Sequence, residues 1–173
     1  NYYIKVVDEV KNEGASSAEA RVKVRVAEGI EPGKQSSFLE RVFKPQSDFQ
    51  KAVWFQQDSL DYKMFEEVSS HKIENPETLQ WAGFADTYFL YAFIPLNTSI
   101  VDAEFLKDGQ KIEERFLTAT KQIPPGDTVN LEYAFYLGPK KMGDLEKLTP
   151  SLTRSIEYGN WIGPISRVLL SIL

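Results

Sequence analysis

The sequence predicts a mostly β protein, an antiparallel β-sandwich with helix confined to its C-terminal end, and three observations carry that prediction. Apolar and polar residues alternate in short segments, most plainly Arg21–Val26 and Val129–Leu137, as strands with one wet face require. Turn signals separate the segments: Glu31-Pro32-Gly33-Lys34, Lys107-Asp108-Gly109-Gln110 and Pro124-Pro125-Gly126-Asp127. Helical spacing is clear only late, where Leu145, Leu148, Leu152 and Ile156 recur while Glu146, Lys147, Arg154 and Glu157 take the other side. Strands first and helix last argue for sheet-on-sheet packing with a helix laid against it.

Taken in order, Tyr2–Val10 is rich enough in Tyr, Ile and Val for a strand, with Tyr2, Ile4 and Val6 on one face, and Asn12-Glu13-Gly14 turns the chain. Arg21–Val26 follows, and its basic side reads as a solvated face rather than an anion site. From Ser36 to Gln57 the pattern is poor: Phe38, Leu39, Val42 and Phe43 are helically spaced, Pro45 interrupts, and irregular structure around one strand is expected. Tyr62–Val68 reads as a strand and Asn75-Pro76-Glu77 as a loop. Trp81–Pro95 is the apolar centre of gravity, and its nearly continuous second half suits a strand covered on both faces. Ile100–Leu106 and Lys111–Ala119 form a hairpin about Asp108-Gly109. The leucine-spaced helix ends at Gly159-Asn160-Trp161-Ile162-Gly163-Pro164, and Pro164 suits the first turn of a second, apolar helix. No repeat or linker appears, so residues 1–141 read as the sandwich, 142–163 as a helix and connecting turn packed on it, and 164–173 as the start of an interface helix.

Composition narrows the function classes. At 173 residues one domain with a sizeable core is expected, and 42% hydrophobic residues with 13% aromatics is a globular balance. A formal charge of −5, with lysines and arginines scattered among acids, argues against nucleic acid as a partner. The absence of cysteine removes disulfides, thiolate catalysis and cysteine-type zinc sites. No run reaches the 18–20 or so apolar residues of a spanning helix, and no signal-peptide pattern precedes Tyr2. The chain is read as a piece of a longer protein whose apolar end, Ile165–Leu173, approaches a membrane.

Candidate chemistry is sparse. The single histidine, His71 in Ser69-Ser70-His71-Lys72, reads as a loop residue. Glu66-Glu67 and Glu113-Glu114 are adjacent pairs whose members point to opposite faces of a strand, and they read as solvated edges. The serine pairs lack a Gly-x-Ser-x-Gly context, and Gly138-Pro139-Lys140-Lys141 lacks the spacing of a phosphate loop. No catalytic, metal or cofactor site is therefore assigned. Trp81, Phe84, Tyr88 and Tyr91, with Phe89 and Phe93, are weighed as lining of an apolar groove for extended polypeptide against the ordinary reading of sandwich core. Trp161, Ile162, Pro164, Ile165, Arg167, Val168, Leu169 and Ile172 are candidate membrane or partner contacts: an indole suits the headgroup boundary and Arg167 suits a lipid phosphate.

Two segments resemble a known family. Trp81-Ala82-Gly83-Phe84-Ala85-Asp86-Thr87-Tyr88-Phe89 through Ile94-Pro95 resembles a Trp-x-Gly-x-x-(Asp/Asn)-x-Tyr-Phe stretch of the large periplasmic domain of bacterial YidC-type membrane-protein insertases. Tyr136-Leu137-Gly138-Pro139-Lys140-Lys141, the following helix, and Ile156-Glu157-Tyr158-Gly159-Asn160-Trp161 resemble that domain's C-terminal end, with Asn160 inserted relative to the family pattern. The literal match covers about the second half of the chain. The resemblance implies a twisted supersandwich like that of galactose-mutarotase domains, a domain facing the periplasm from a bacterial inner membrane, and no enzymatic activity or cofactor. It implies as partners membrane lipid, the rest of the insertase chain, Sec translocon components and nascent membrane proteins. The alternative is a sugar-active or carbohydrate-binding domain of mutarotase-like fold, for which one histidine leaves the general acid/base set short.

Overall fold

The computed structural model describes residues 2–29, 51–109 and 111–156, and among these the chain forms twelve strands in three sheets. A six-stranded sheet has the order β1 (Tyr3–Lys11), β12 (Thr128–Pro139), β8 (Phe89–Pro95), β7 (Leu79–Ala85), β4 (Lys51–Gln56), β5 (Ser59–Met64). A four-stranded sheet, β3 (Lys23–Gly29), β10 (Lys111–Thr118), β9 (Ile100–Asp108), β6 (Ser70–Lys72), packs on one face of it. A short ribbon pairs β2 (Ala18–Ala20) with β11 (Lys121–Ile123). All pairings are antiparallel. The expected mostly β sandwich is the fold observed.

The period of two along the central strands explains why two cores exist. Ala52 and Trp54 of β4, Ala82 and Phe84 of β7, and Tyr91 and Phe93 of β8 face the four-stranded sheet. There they meet Phe105, Ile112 and Phe116, with Phe93 stacked on Phe116 at 4.9 Å between ring centroids. The intervening residues Val53, Phe55, Trp81, Leu90, Ala92 and Ile94 form a second core on the opposite face. Trp81 stacks parallel to Phe55 there at 6.1 Å. Both faces of β4, β7 and β8 are thus covered, which is why their sequences run apolar without alternation.

The second core is closed by residues 142–156, and here the structure corrects the expected long amphipathic helix. The chain makes one helical turn, Met142–Leu145, and then a 3-10 segment, Pro150–Ser155. Thr149, extended between them, precedes Pro150, and the residue before a proline is driven out of the helical region. The leucine spacing reports burial all the same: Leu145 and Leu152 are buried, and Leu148 and Ile156 pack beside them.

Three smaller expectations also change. The strand expected over Tyr62–Val68 starts earlier and stops at Met64, with a turn following. His71 lies on β6, paired opposite Phe105, rather than in a loop, and its ring packs 4.8 Å from Trp54. Tyr2 falls outside β1 and lies over Gly138 beside Tyr136 instead of sharing a face with Ile4. The Asp108-Gly109 turn is as expected, with Gly109 at φ +57°. The hairpin between β4 and β5 carries no glycine; Gln57 and Asp58 both hold positive φ, 48° and 61°, as the two central residues of a type I′ turn must.

Candidate functional site: an aromatic corner at the end of the large sheet

The β7–β8 turn is built by one carboxylate. Asp86 Oδ1 accepts the backbone N–H groups of Tyr88 and Phe89, each at 2.5 Å, while Asp86 N–H donates to Phe89 O at 3.1 Å. With its backbone so held, the turn projects Tyr88 outward, 59% exposed, and leaves Phe89 45% exposed. Three residues before Asp86 in the apolar run, Gly83 lies against β8: a Cβ there would stand 2.0 Å from Tyr91 O. Only glycine permits that approach.

The end of β12 lies against this turn. Gly138 and Pro139 pair with Leu90 and Phe89. Lys140 N–H donates to Tyr88 O at 2.7 Å, and Lys140 Nζ donates to Asp86 O at 2.6 Å. Tyr136 hydroxyl donates to Pro139 O at 2.6 Å, fixing the bend. The two segments that carried the family resemblance therefore meet at one corner, held by hydrogen bonds between them. That corner exposes Tyr88, Phe89, Leu137 and Met142, with Lys141 also exposed at the start of the helical turn.

Of the four groove candidates, Trp81, Phe84 and Tyr91 are buried and only Tyr88 is exposed. Trp81 belongs to the second core and Phe84 and Tyr91 to the first, so these three line no common open groove. The physical reason is that alternate residues of β7 and β8 serve opposite faces, both of them covered. Trp161, Ile162, Pro164, Ile165, Arg167, Val168, Leu169 and Ile172 lie outside the described residues.

The acidic pairs divide. Glu66 and Glu67 are exposed. Glu113 sits between Arg25, at 2.5 Å, and Arg115, and those guanidiniums hold its carboxyl down at about 2. Glu114 overturns the expectation of a solvated edge: it is wholly buried between the sheets. Its Oε1 accepts a 2.5 Å bond from the Tyr91 hydroxyl, and its Oε2 has no partner. Burial pushes its carboxyl well above the usual range, and the Tyr91 bond only partly opposes this. The signal was present in sequence, since Ile112-x-Glu114-x-Phe116-x-Thr118 places Glu114 on the apolar side of the alternation.

Chemically the corner offers apolar and aromatic surface beside a lysine. No cluster of three His, Asp or Glu side chains suited to a metal occurs among the described residues. Burial, in a site where its ring lies tilted against Trp54, desolvates His71 and lowers its pKa, with Lys63 adding to the effect.

The family model described as the YidC periplasmic domain matches residues 1–172. Relatives named membrane protein insertase YidC include that of Pelobacter propionicus, 32% identical over 69% of this chain and 22% of the relative. That of Geobacter metallireducens is 29% identical over 100% of this chain and 31% of its own length. That of Alcanivorax borkumensis is 25% identical over 100% of this chain and 30% of its own length. The chain thus spans between about a fifth and a third of the curated relatives it matches. With the matched family model running almost end to end, this chain belongs to the YidC periplasmic-domain family.

Proposed function

We propose that this chain is the periplasm-facing, non-enzymatic domain of a YidC-type membrane protein insertase in a bacterial inner membrane, and that its aromatic corner rests at the lipid headgroup boundary. The observation that carries the reading is the convergence of two distant segments on one hydrogen-bonded corner that leaves Tyr88, Phe89, Leu137 and Met142 in solvent. Tyrosine and phenylalanine with a nearby lysine suit the boundary, where a ring is half desolvated and an ammonium stays wet. Rigidity matters as much as composition: the corner is braced by Asp86 and Lys140, so contact there fixes the orientation of the sandwich. The rest of the insertase chain, Sec translocon components and nascent membrane proteins are further proposed partners, the role being to position the insertase helices. No helix among the described residues is long and apolar enough to cross a membrane, so on this reading insertion itself is performed by parts of the longer protein.

Depletion and rescue tests the proposal. A full-length insertase carrying Tyr88→Ser and Leu137→Ser should accumulate normally yet rescue growth less well than the parent when the endogenous insertase is withdrawn. Full rescue by that variant would remove the corner from the account.

A further inference from the structure

Among the described residues, no strand seals the side of the sandwich between β1 and β3. Each of these is an edge strand: among the described residues β1 pairs only with β12, and β3 only with β10. The parity of the β1–β12 ladder can be read at both of its ends. Tyr2 O accepts from Leu137 N–H, Asn12 N–H donates to Asp127 O, and Asn12 O accepts from Gly126 N–H. Even-numbered residues therefore turn their backbone groups toward β12, and Tyr3, Lys5, Val7, Glu9 and Lys11 turn theirs outward. Among the described residues, these five residues of the edge strand thus present donors and acceptors that no neighbouring strand pairs. Lysines commonly guard such an edge, but here Lys5 is held by Glu132 at 2.6 Å and Lys11 by Glu13 at 3.3 Å.

Beside this edge runs a cleft of about 630 Å³. Val7, Val10, Val22 and Leu131 give it an apolar lining. Asp8, Glu9 and Glu19 outnumber Arg21 along its walls. Asp8 accepts from the Tyr133 hydroxyl at 2.9 Å and Glu19 from Gln122 at 2.5 Å, so the carboxylates are positioned rather than loose.

We infer that the β1 edge is a strand-addition site for an extended polypeptide that alternates apolar with basic residues. Main-chain hydrogen bonds to the odd-numbered residues supply sequence-independent affinity. The valines receive alternate side chains, and the surplus of carboxylates selects for cations over anions. The site is remote in sequence from the aromatic corner and does not depend on the reading given to it.

The test uses this chain and a short acetylated, amidated peptide in which valine alternates with lysine and threonine. At saturation the amides of Val7 and Glu9 should exchange at least about tenfold more slowly, since they become bonded. N-methylating the peptide at the residues that face β1 should weaken binding about tenfold or more, and so should replacing its lysines with glutamate at low salt. Val7→Pro removes one outward donor and no β12 ladder bond, and should weaken binding similarly. The methylated-peptide arm requires no change to the protein. Equal binding of the parent and N-methylated peptides, or of the lysine and glutamate peptides, would overturn the inference. So would protection of Val7 and Glu9 that rises with protein concentration in the absence of peptide, because the edge would then take a second copy of this chain.

Discussion

Glutamine in place of Glu114 should flatten the dependence of stability on pH, and the size of the effect follows from the carboxyl's surroundings. Glu114 has no exposed surface and one bond, from the Tyr91 hydroxyl. Burial raises its pKa in the folded state, so the native carboxyl keeps a proton that the unfolded chain releases at about 4.3. A raised folded pKa gives stability that is fully present below the unfolded value and is lost as pH rises toward the folded one. While the native carboxyl stays protonated, the loss is about 1.4 kcal/mol per pH unit. For a chain of this size that corresponds to roughly 3–6 °C in Tm per pH unit. Glu114→Gln keeps an oxygen for Tyr91 but adds amide hydrogens without partners, at a cost of about 1–3 kcal/mol. The variant therefore starts below the parent at pH 5, and the gap narrows as pH rises. His71, whose pKa is lowered, contributes the opposite slope below its unfolded value and cancels in the comparison. Glu113, held low, acts only below that window. The assay is thermal or urea unfolding of both proteins at several pH values. Parallel curves for parent and variant would show that Glu114 is ionised or solvated in the fold.

Trp81→Ala removes a fully buried ring stacked on Phe55 and should cost about 3–5 kcal/mol; an unchanged urea midpoint would show that the second core does not need it. Gly83→Ala sets a methyl group 2.0 Å from Tyr91 O, and should open the β7–β8 pairing, read as faster amide exchange at Phe84, whose N–H faces β8, than in the parent. Replacing Gln57-Asp58, both at positive φ, with Asn-Gly should stabilise the β4–β5 hairpin by about 1 kcal/mol, and a lower melting point would contradict the turn assignment.

The fold was legible where one physical cause governs a segment. Alternation found β3 because one of its faces is drier than the other, and found β12 although beyond Leu131 both of its faces are covered, Tyr133 and Phe135 on one core and Ala134 and Tyr136 on the other. Asp108-Gly109 found its hairpin because that turn needs a positive φ. Burial from both sides made Trp81–Pro95 conspicuous. It also hid the division of that run between two cores, which depends on what covers each face. The leucines at 145, 148, 152 and 156 announced a buried stripe correctly and a continuous helix wrongly, because Pro150 breaks the backbone without moving the stripe off the sheet. The Gln57-Asp58 turn carried no glycine to announce it. Glu114 was missed because its charge outweighed its place in the alternation with Ile112 and Phe116. The corner was legible only as two motifs; that they touch, through Lys140, Asp86 and Tyr88, is set by β12 and β8 pairing in register.

The central claim, that the aromatic corner meets the headgroup boundary, is open to a direct measurement because the chain contains no cysteine. Tyr88→Cys, Leu137→Cys and Asp58→Cys, each labelled with an environment-sensitive fluorophore, report three places on the surface. The chain would be mixed with vesicles containing anionic lipid and a lipid-borne quencher. The account predicts a blue shift and quenching for labels at positions 88 and 137 and neither for the label at 58. Equal response at all three positions, or response at 58 alone, would contradict it.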